Sequence, residues 1–317
     1  MVSTQKTLPA GVSAALYPFA PHSFVRRGLR MNYIDEGQGE PVVMVHGNPT
    51  WSFHFRALVR ALHGRYRTVV PDHIGMGLSD KPQDEDYDYR LQSRVDDLEA
   101  LIAHLGLDAG PPLTLVLHDW GGMIGMAYAA RHPQRVARLV LMNTAAFHVP
   151  AGSKIPLSLQ ALRKTPLGPL AVLGLNAFAR MAARVCTHRT KLSADVRAAY
   201  CAPYDSWQTR LATLRFVQDI PAEPTHPSYA LVSETEAALP QFRDTPALLL
   251  WGMHDFVFTP AVLASWRARW PKAEVKAFDD CGHYLLEDAP DEVCARVTAF
   301  LAEHPLAPPS PLPSLPT

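Results

Sequence analysis

The sequence predicts an α/β fold: a mostly parallel sheet with helices on both faces and an all-helical insertion over the strand ends. Three observations carry this. Short β-branched or Leu-rich runs recur and are continuous rather than alternating, as strands buried on both faces read. Each is followed by a glycine-bearing turn and a longer amphipathic stretch, an order that argues parallel strands joined by helices. One long stretch, from about Phe147 to Leu239, breaks the rhythm: it holds Ala/Leu/Arg-rich helical segments, eight prolines and no convincing strand.

Taken in order, strands are expected at Val42–His46, Arg67–Pro71, Leu113–His118, Val136–Asn143, Ala247–Gly252 and Glu274–Phe278. Helices are expected at about Ser52–His63, Leu91–Leu105, Gly121–Arg131, Ala261–Trp270 and Asp291–Glu303. The helical insertion reads as a lid over a site at the strand ends. This divides the chain into a core of residues 1–147 and 240–304, a cap of 148–239, and a Pro-rich tail of 305–317. The tail carries six prolines and is expected to be a solvated, disordered polyproline-like segment. The longest apolar stretch, Pro166 to Ala179, is too short to span a bilayer and reads as packed helix.

Composition narrows the function classes. Of 317 residues, 30 are Lys or Arg and 30 Asp or Glu, so no overall field favours a polyanion and nucleic acid is not an expected partner. Hydrophobic residues at 48% and charged ones at 19% suit a chain with a sizeable core. The N-terminus carries one Lys and short apolar pieces broken by Pro9 and Pro18, a poor signal peptide. Cys186, Cys201, Cys281 and Cys294 form no C-x-x-C pair, and reduced thiols in a cytoplasm are expected. Proline, at 29 of 317 or about 9% against a usual ~5%, is the odd entry, with no short repeat to explain it.

Leu113–His118 runs directly into Asp119-Trp120-Gly121-Gly122 and then a helix. This strand–turn–helix junction matches a nucleophile elbow with Asp119 in the place where hydrolases more often put Ser. No G-x-S-x-G occurs in the chain, which demotes a serine esterase or protease. An N-cap role for Asp119 is the plainer alternative. Trp251-Gly252-Met253-His254-Asp255 places an acid after a later strand, and Asp280-Cys281-Gly282-His283-Tyr284 places a histidine before the final helix. Nucleophile, acid, base is the α/β-hydrolase chain order, so Asp119, Asp255 and His283 are the expected catalytic residues, with His283 as general base. His46-Gly47-Asn48-Pro49 ends an early strand. Backbone N–H groups at Asn48 and Trp120 would face the reacting group, and both side chains add N–H donors for a leaving anion. Packing for Trp120 and a turn role for Asn48 are the bland readings of each alone. No metal or other cofactor is expected: 14 histidines form no H-E-x-x-H or similar cluster, and Gly121-Gly122-x-x-Gly125 lacks a phosphate-loop pattern.

His46–Trp51 (HGNPTW) and His118–Gly122 (HDWGG) resemble the haloalkane dehalogenase family of the α/β-hydrolase fold. The resemblance implies an eight-stranded, mostly parallel sheet with a helical cap after the sixth strand. It also implies that an aspartate attacks an sp³ carbon while Asn and Trp side chains hold the departing halide. Asp119 would be nucleophile, His283 base, and Asn48 and Trp120 the anion pair. Some branches place the acid near Asn143; here Asp255 matches instead. Pro71–Pro82, Tyr87–Ile102 (YDYRLQSRVDDLEALI), His118–Ala129, Leu139–Phe147 and Thr213–Pro221 (TLRFVQDIP) are similar to the dehalogenase-related β-lactone decarboxylases of bacterial long-chain olefin biosynthesis.

That similarity spans roughly Tyr17 to Leu301. It implies an apolar small-molecule substrate, a cis-β-lactone opened by Asp119 and converted to a cis-olefin and CO₂, and a place in a multi-enzyme olefin-forming assembly. Hydrolytic dehalogenation is the alternative. Epoxide hydrolysis comes third, with Tyr200, Tyr204 and Tyr229 as the tyrosines it would use. A non-catalytic ligand-binding hydrolase fold is the reading from another class, and it predicts a broken catalytic set. Leu157, Leu159, Leu162, Leu167, Leu170, Val172, Leu173, Leu175, Phe178 and Met181 make the cap apolar, which suits alkyl chains and equally suits docking onto a core.

Overall fold

The computed structural model describes residues 8–150 and 154–306; most of the Pro-rich tail expected at 305–317 lies outside the described residues. Eight strands form one sheet in the order β1-β2-β4-β3-β5-β6-β7-β8: β1 His22–Arg26, β2 Leu29–Glu36, β3 Glu40–Val45, β4 Tyr66–Pro71, β5 Leu113–Asp119, β6 Val136–Thr144, β7 Ala247–Gly252 and β8 Glu274–Phe278. From β4 through β8 every pairing is parallel; β1 and β2 add an antiparallel edge. All six expected strands are present. Unread in the sequence are β1 and β2, whose mixed burial gives no continuous apolar run. The far edge, β8, differs from the expected buried strand: only Phe278 is buried, because no strand of the described residues pairs beyond it.

The central strands are buried on both faces, and the pleat sorts their side chains into two cores. Val43, Val45, Leu115 and Leu117 face one layer; Val42, Met44, Val116 and Val140 face the other. Helices α1 (Arg56–Leu62), α2 (Leu91–His104) and α3 (Trp120–Arg131) follow β3, β4 and β5. Between β6 and β7 the chain is helical: α4 Leu157–Lys164, α5 Leu167–Pro169 continuing as a π turn through Gly174, α6 Ala177–Val185, α7 Ala194–Cys201, α8 Leu211–Gln218 and α9 Tyr229–Ala238. The stretch expected as one packed helix over Pro166–Ala179 is instead broken at Asn176, which adopts φ 50° and opens α6. The last of these helices, α9, packs against α3. After β7 come α10 (Pro260–Arg269), α11 (Leu285–Asp288) and α12 (Pro290–Glu303). No helix of the described residues is long and apolar enough to cross a membrane.

The insertion is fastened to the strand ends by hydrogen bonds. Trp51 Nε1 donates to Ala199 O at 3.1 Å, and the Tyr284 N–H donates to Cys186 O at 2.7 Å. The His188 and Thr190 N–H groups donate to the carboxylate of Asp288 at 2.9 and 2.8 Å.

The β5–α3 junction is the tightest point of the fold. A Cβ at Gly121 would strike Val45 O, and one at Gly122 would strike Thr144 Oγ1, so α3 can lie across the ends of β3 and β6 only with glycine there. Gly121→Ala should lower stability by about 1–3 kcal/mol through backbone displacement. Urea unfolding would read this as a lower midpoint at unchanged slope.

Candidate active site

Asp119 ends β5 at φ 54° and ψ −126°, a conformation that L side chains rarely adopt. Its carbonyl accepts from Thr144 Oγ1. The turn lifts the carboxylate off the sheet toward the loop after β3. There the Asn48 N–H donates to Asp119 Oδ1 at 2.8 Å, and Gly47 passes so close that a Cβ would overlap the carboxylate. The plainer N-cap reading fails, because the Asp119 side chain makes no bond to the start of α3.

His283 Nε2 stands 3.5 Å from Asp119 Oδ2, and His283 Nδ1 2.7 Å from Asp255 Oδ2. The other Asp255 oxygen accepts from the N–H groups of Val257 and Phe258 at 2.7 and 3.0 Å. A chain Asp119–His283–Asp255 thus runs across three loops, all three side chains buried. Asn143, at the position where some branches carry the acid, has a different task. Its amide donates to Gly252 O at 3.0 Å and accepts from Gly252 N at 2.8 Å, pinning the end of β7 and so the loop that bears Asp255.

Asn48 and Trp120 both line the same cavity as Asp119 and His283. One Asn48 amide N–H reaches across to Thr213 O of α8 at 3.0 Å, while its Oδ1 is buried without a partner. This qualifies the expectation of a free amide: part of its donor capacity already ties the loop to the insertion. Trp120 packs edge-on against Phe216 with ring centroids 5.4 Å apart, and its indole N–H has no protein acceptor among the described residues. The indole N–H is therefore open to a ligand in the cavity.

The cavity has a volume of about 780 Å³, in the upper part of the usual range for small-molecule sites. Its polar lining includes Asn48, Asp119 and His283, with His148, Lys154, Ser158 and Thr259 further out. The rest is mostly apolar, with Met123, Leu162, Phe178, Val217, Ile220 and Phe258 among the lining residues. Neither Tyr200, Tyr204 nor Tyr229 is among the lining residues. Tyr200 donates to Glu287 at 2.6 Å and bonds His54 Nδ1 at 2.9 Å, Tyr204 donates to Thr50 O, and Tyr229 stacks on His148.

A family model for the alpha/beta hydrolase fold matches residues 40–290 of this chain. The chain belongs to the α/β-hydrolase family. Among its α/β-hydrolase relatives, the cis-3-alkyl-4-alkyloxetan-2-one decarboxylase of Shewanella oneidensis is 53% identical over 288 residues, covering 91% of this chain and 90% of its own length. Haloalkane dehalogenase 2 of Mycobacterium tuberculosis is 34% identical over 287 residues, covering 89% of this chain and 95% of its own. Of solved structures, the haloalkane dehalogenase DatA from Agrobacterium tumefaciens matches with a TM-score of 0.81 at 26% identity, over 92% of this chain and 100% of that one.

Two residues of this α/β hydrolase escaped the sequence reading. His118 Nε2 bonds the carbonyl of His283 at 2.9 Å, and its ring lies between those of His283 and His54, at centroid distances of 4.6 and 4.4 Å. Burial, then the neighbouring His283 charge, brings His118 down to about 4, so it is neutral and donates from Nε2. His54 is also pushed down by burial. The signal available was weak: a histidine next to Asp119 and another in an early helix, neither with a partner visible in sequence.

Burial also opposes charge on His283, but the Asp255 and Asp119 carboxylates override it and hold the imidazole up at about 10. Burial would likewise raise Asp119, and the bond and charge of His283 together with the Asn48 N–H hold it below the ordinary Asp value. The resting array is therefore an imidazolium between two carboxylates. A folded-state pKa above the unfolded one adds stability that is complete below about 6.5 and lost as pH rises through about 10. The wild-type protein should lose stability over that alkaline window more steeply than His283→Gln, compared by urea titrations at a series of pH values. Parallel curves would refute the charged resting state.

Proposed function

We propose that this α/β hydrolase converts an apolar cis-β-lactone with two alkyl arms into a cis-olefin and CO₂. The observation that carries the reading is the 53% identity, over nearly the whole chain, to a cis-3-alkyl-4-alkyloxetan-2-one decarboxylase, against 34% to a haloalkane dehalogenase. The site supports it with one nucleophilic carboxylate on the floor of a large apolar cavity.

Asp119 is the nucleophile. With Oδ1 held by the Asn48 N–H, Oδ2 attacks the lactone carbon that bears the ring oxygen. The Cβ–O ring bond breaks, its electrons go to the oxygen, and an alkyl ester of Asp119 forms beside a free carboxylate. The Trp120 indole N–H and the remaining Asn48 N–H stabilise that carboxylate, as donors placed where charge develops. The Cα–carboxylate bond then breaks, its electrons form the C=C bond, CO₂ departs and the Asp119 carboxylate is expelled. Atoms and charge balance with no water and no proton consumed.

His283 then has a role that needs no general base. Held by Asp255, its imidazolium stands 3.5 Å from Asp119 Oδ2 and favours the carboxylate as leaving group. Alkylation of Asp119 removes one of the two charges that keep His283 protonated. The same residue could then serve as base in a hydrolytic dehalogenase cycle, which is the second reading and has the 34% relative in its favour. Epoxide hydrolysis loses its support because none of the three insertion tyrosines lines the cavity, and the hydroxyls of Tyr200 and Tyr204 are bonded elsewhere. The intact array of Asp119, His283 and Asp255 likewise leaves nothing to favour a non-catalytic ligand-binding role.

We further read residues 148–239 as the cap that walls the cavity, and a reducing cytoplasm as the setting that suits four free cysteines. An assembly with other olefin-forming enzymes belongs to the same reading.

The test is to give the purified protein a long-chain cis-β-lactone, a 1-bromoalkane and a terminal epoxide in turn. Olefin and CO₂ from the lactone are expected, and bromide release without olefin would overturn the reading. Asp119→Ala should lose turnover by a factor on the order of 10⁴ or more, since no other group in the cavity can form the ester.

A further inference from the structure

The overall charge of zero hides a regional imbalance. From Trp120 to Ala194 the sequence contains no Asp or Glu, and residues 148–194 alone carry seven Lys and Arg. Three of these are matched from elsewhere: Arg163 and Lys164 by Glu223, and Arg189 by Asp280 and Glu292. Lys154, Arg180, Arg184 and Lys191 are exposed and make no ion pair among the described residues.

The same region carries the exposed apolar surface. Of eleven large hydrophobic side chains exposed among the described residues, eight lie between residues 148 and 239. On α6 the buried side is Ala179, Ala182 and Ala183, leaving Arg180, Met181, Arg184 and Val185 as a mixed cationic and apolar stripe. Leu157 is 82% exposed and Leu167 69%. Leu170 and Trp207, both about half exposed, close together over Gly174. The patch also reaches the cavity, because Val149, Met181, Val185 and Phe256 are exposed and line it at once. An apolar mouth with Lys154 in its lining, and with Arg180 and Arg184 next in the chain to its Met181 and Val185, is an arrangement that a water-facing entrance would not need.

We propose that this outer face of the insertion docks on an anionic phospholipid bilayer, with the cavity mouth turned toward the lipid. Helices that lie on membranes combine Leu or Trp side chains with Lys or Arg, the apolar groups entering the headgroup region and the cations meeting lipid phosphates. Charge complementarity favours an anionic surface. The choice of a bilayer rests on the apolar substrate proposed above, which partitions into lipid and would pass from there into the mouth without crossing water. Attachment is peripheral, through side chains of α4 to α6 and Trp207.

Sedimentation with phosphatidylglycerol–phosphatidylethanolamine vesicles, and separately with phosphatidylcholine vesicles, tests this without any turnover, so it can fail independently of the proposed reaction. Binding to the anionic vesicles only, weakened by salt, is expected. Arg180→Ala/Arg184→Ala should weaken it on the order of 30-fold, at about 1 kcal/mol per cation. Leu167→Ser/Leu170→Ser should weaken it as well. Both variants should keep the wild-type unfolding midpoint and the wild-type rate on a short-chain, water-dissolved lactone. No vesicle binding by the wild type, equal binding to neutral vesicles, or variants that bind as well as the wild type would overturn the proposal. So would self-association in sedimentation velocity that disappears in the leucine variant without vesicle binding, which would assign the face to a second copy of the chain.

Discussion

The backbone of Asp119 is the constraint on which the rest of the site depends. A non-glycine residue held at φ 54° and ψ −126° costs of order 1–3 kcal/mol and persists only where its surroundings over-determine it. Here they do. Thr144 takes the carbonyl, the Asn48 N–H takes a carboxylate oxygen, and Gly47, Gly121 and Gly122 let three neighbouring segments approach closer than any side chain would permit. The result is a carboxylate that the turn itself aims, so the attack proposed for it would need little reorganisation. The short motifs around residues 46–51 and 118–122 pack on each other: Gly47 makes room for the Asp119 carboxylate, and Gly121 for the carbonyl of Val45 that leads into the first motif.

Electrostatics complete what sterics begin. The array has two carboxylates and one imidazole, all buried, and the carboxylates outweigh burial in favouring the protonated imidazole. Behind it, neutral His118 and His54 extend the stack without adding charge, so the cation is confined to the ring between Asp119 and Asp255. Tyr200, Glu287 and Arg56 close the far side, with the Arg56 guanidinium paired to Glu287 at 2.5 Å. A polar network of this kind runs from the insertion helix α7 to the loop that holds His283, coupling the placement of the lid to the placement of the array.

Much of this was legible in the sequence, for physical reasons that differ by element. Five of the six expected strands, β3 to β7, announced themselves because burial on both faces demands continuous apolar runs, as in Leu113–His118. The antiparallel pair at the N-terminus did not, since Val25 is exposed and the burial of β1 is mixed. Asp119, Asp255 and His283 could be picked out by chain order and by the glycines next to them, and the structure brings them together. What the sequence could not show was partnership across space. That Asn48 would spend an N–H on Thr213, that Asn143 would clamp Gly252, and that His118 would hold the His283 carbonyl all depend on contacts between residues more than a hundred positions apart. The break at Asn176 was hidden for a local reason: Leu and Ala on either side are good helix formers, while a left-handed Asn leaves no compositional trace.

The ties between the insertion and the strand ends bear on how substrates are chosen. Trp51 to Ala199, Asn48 to Thr213 and Tyr284 to Cys186 are bonds between the lid and the very loops that form the floor. Swinging such a lid open would pull on the Asn48 N–H donor and on the His283 loop, undoing the array it covers. Ligands must therefore thread through the rim. For the substrate proposed above, the walls would then act as a ruler cast when the chain folds, gauging the length and bulk of its arms before any bond is made or broken.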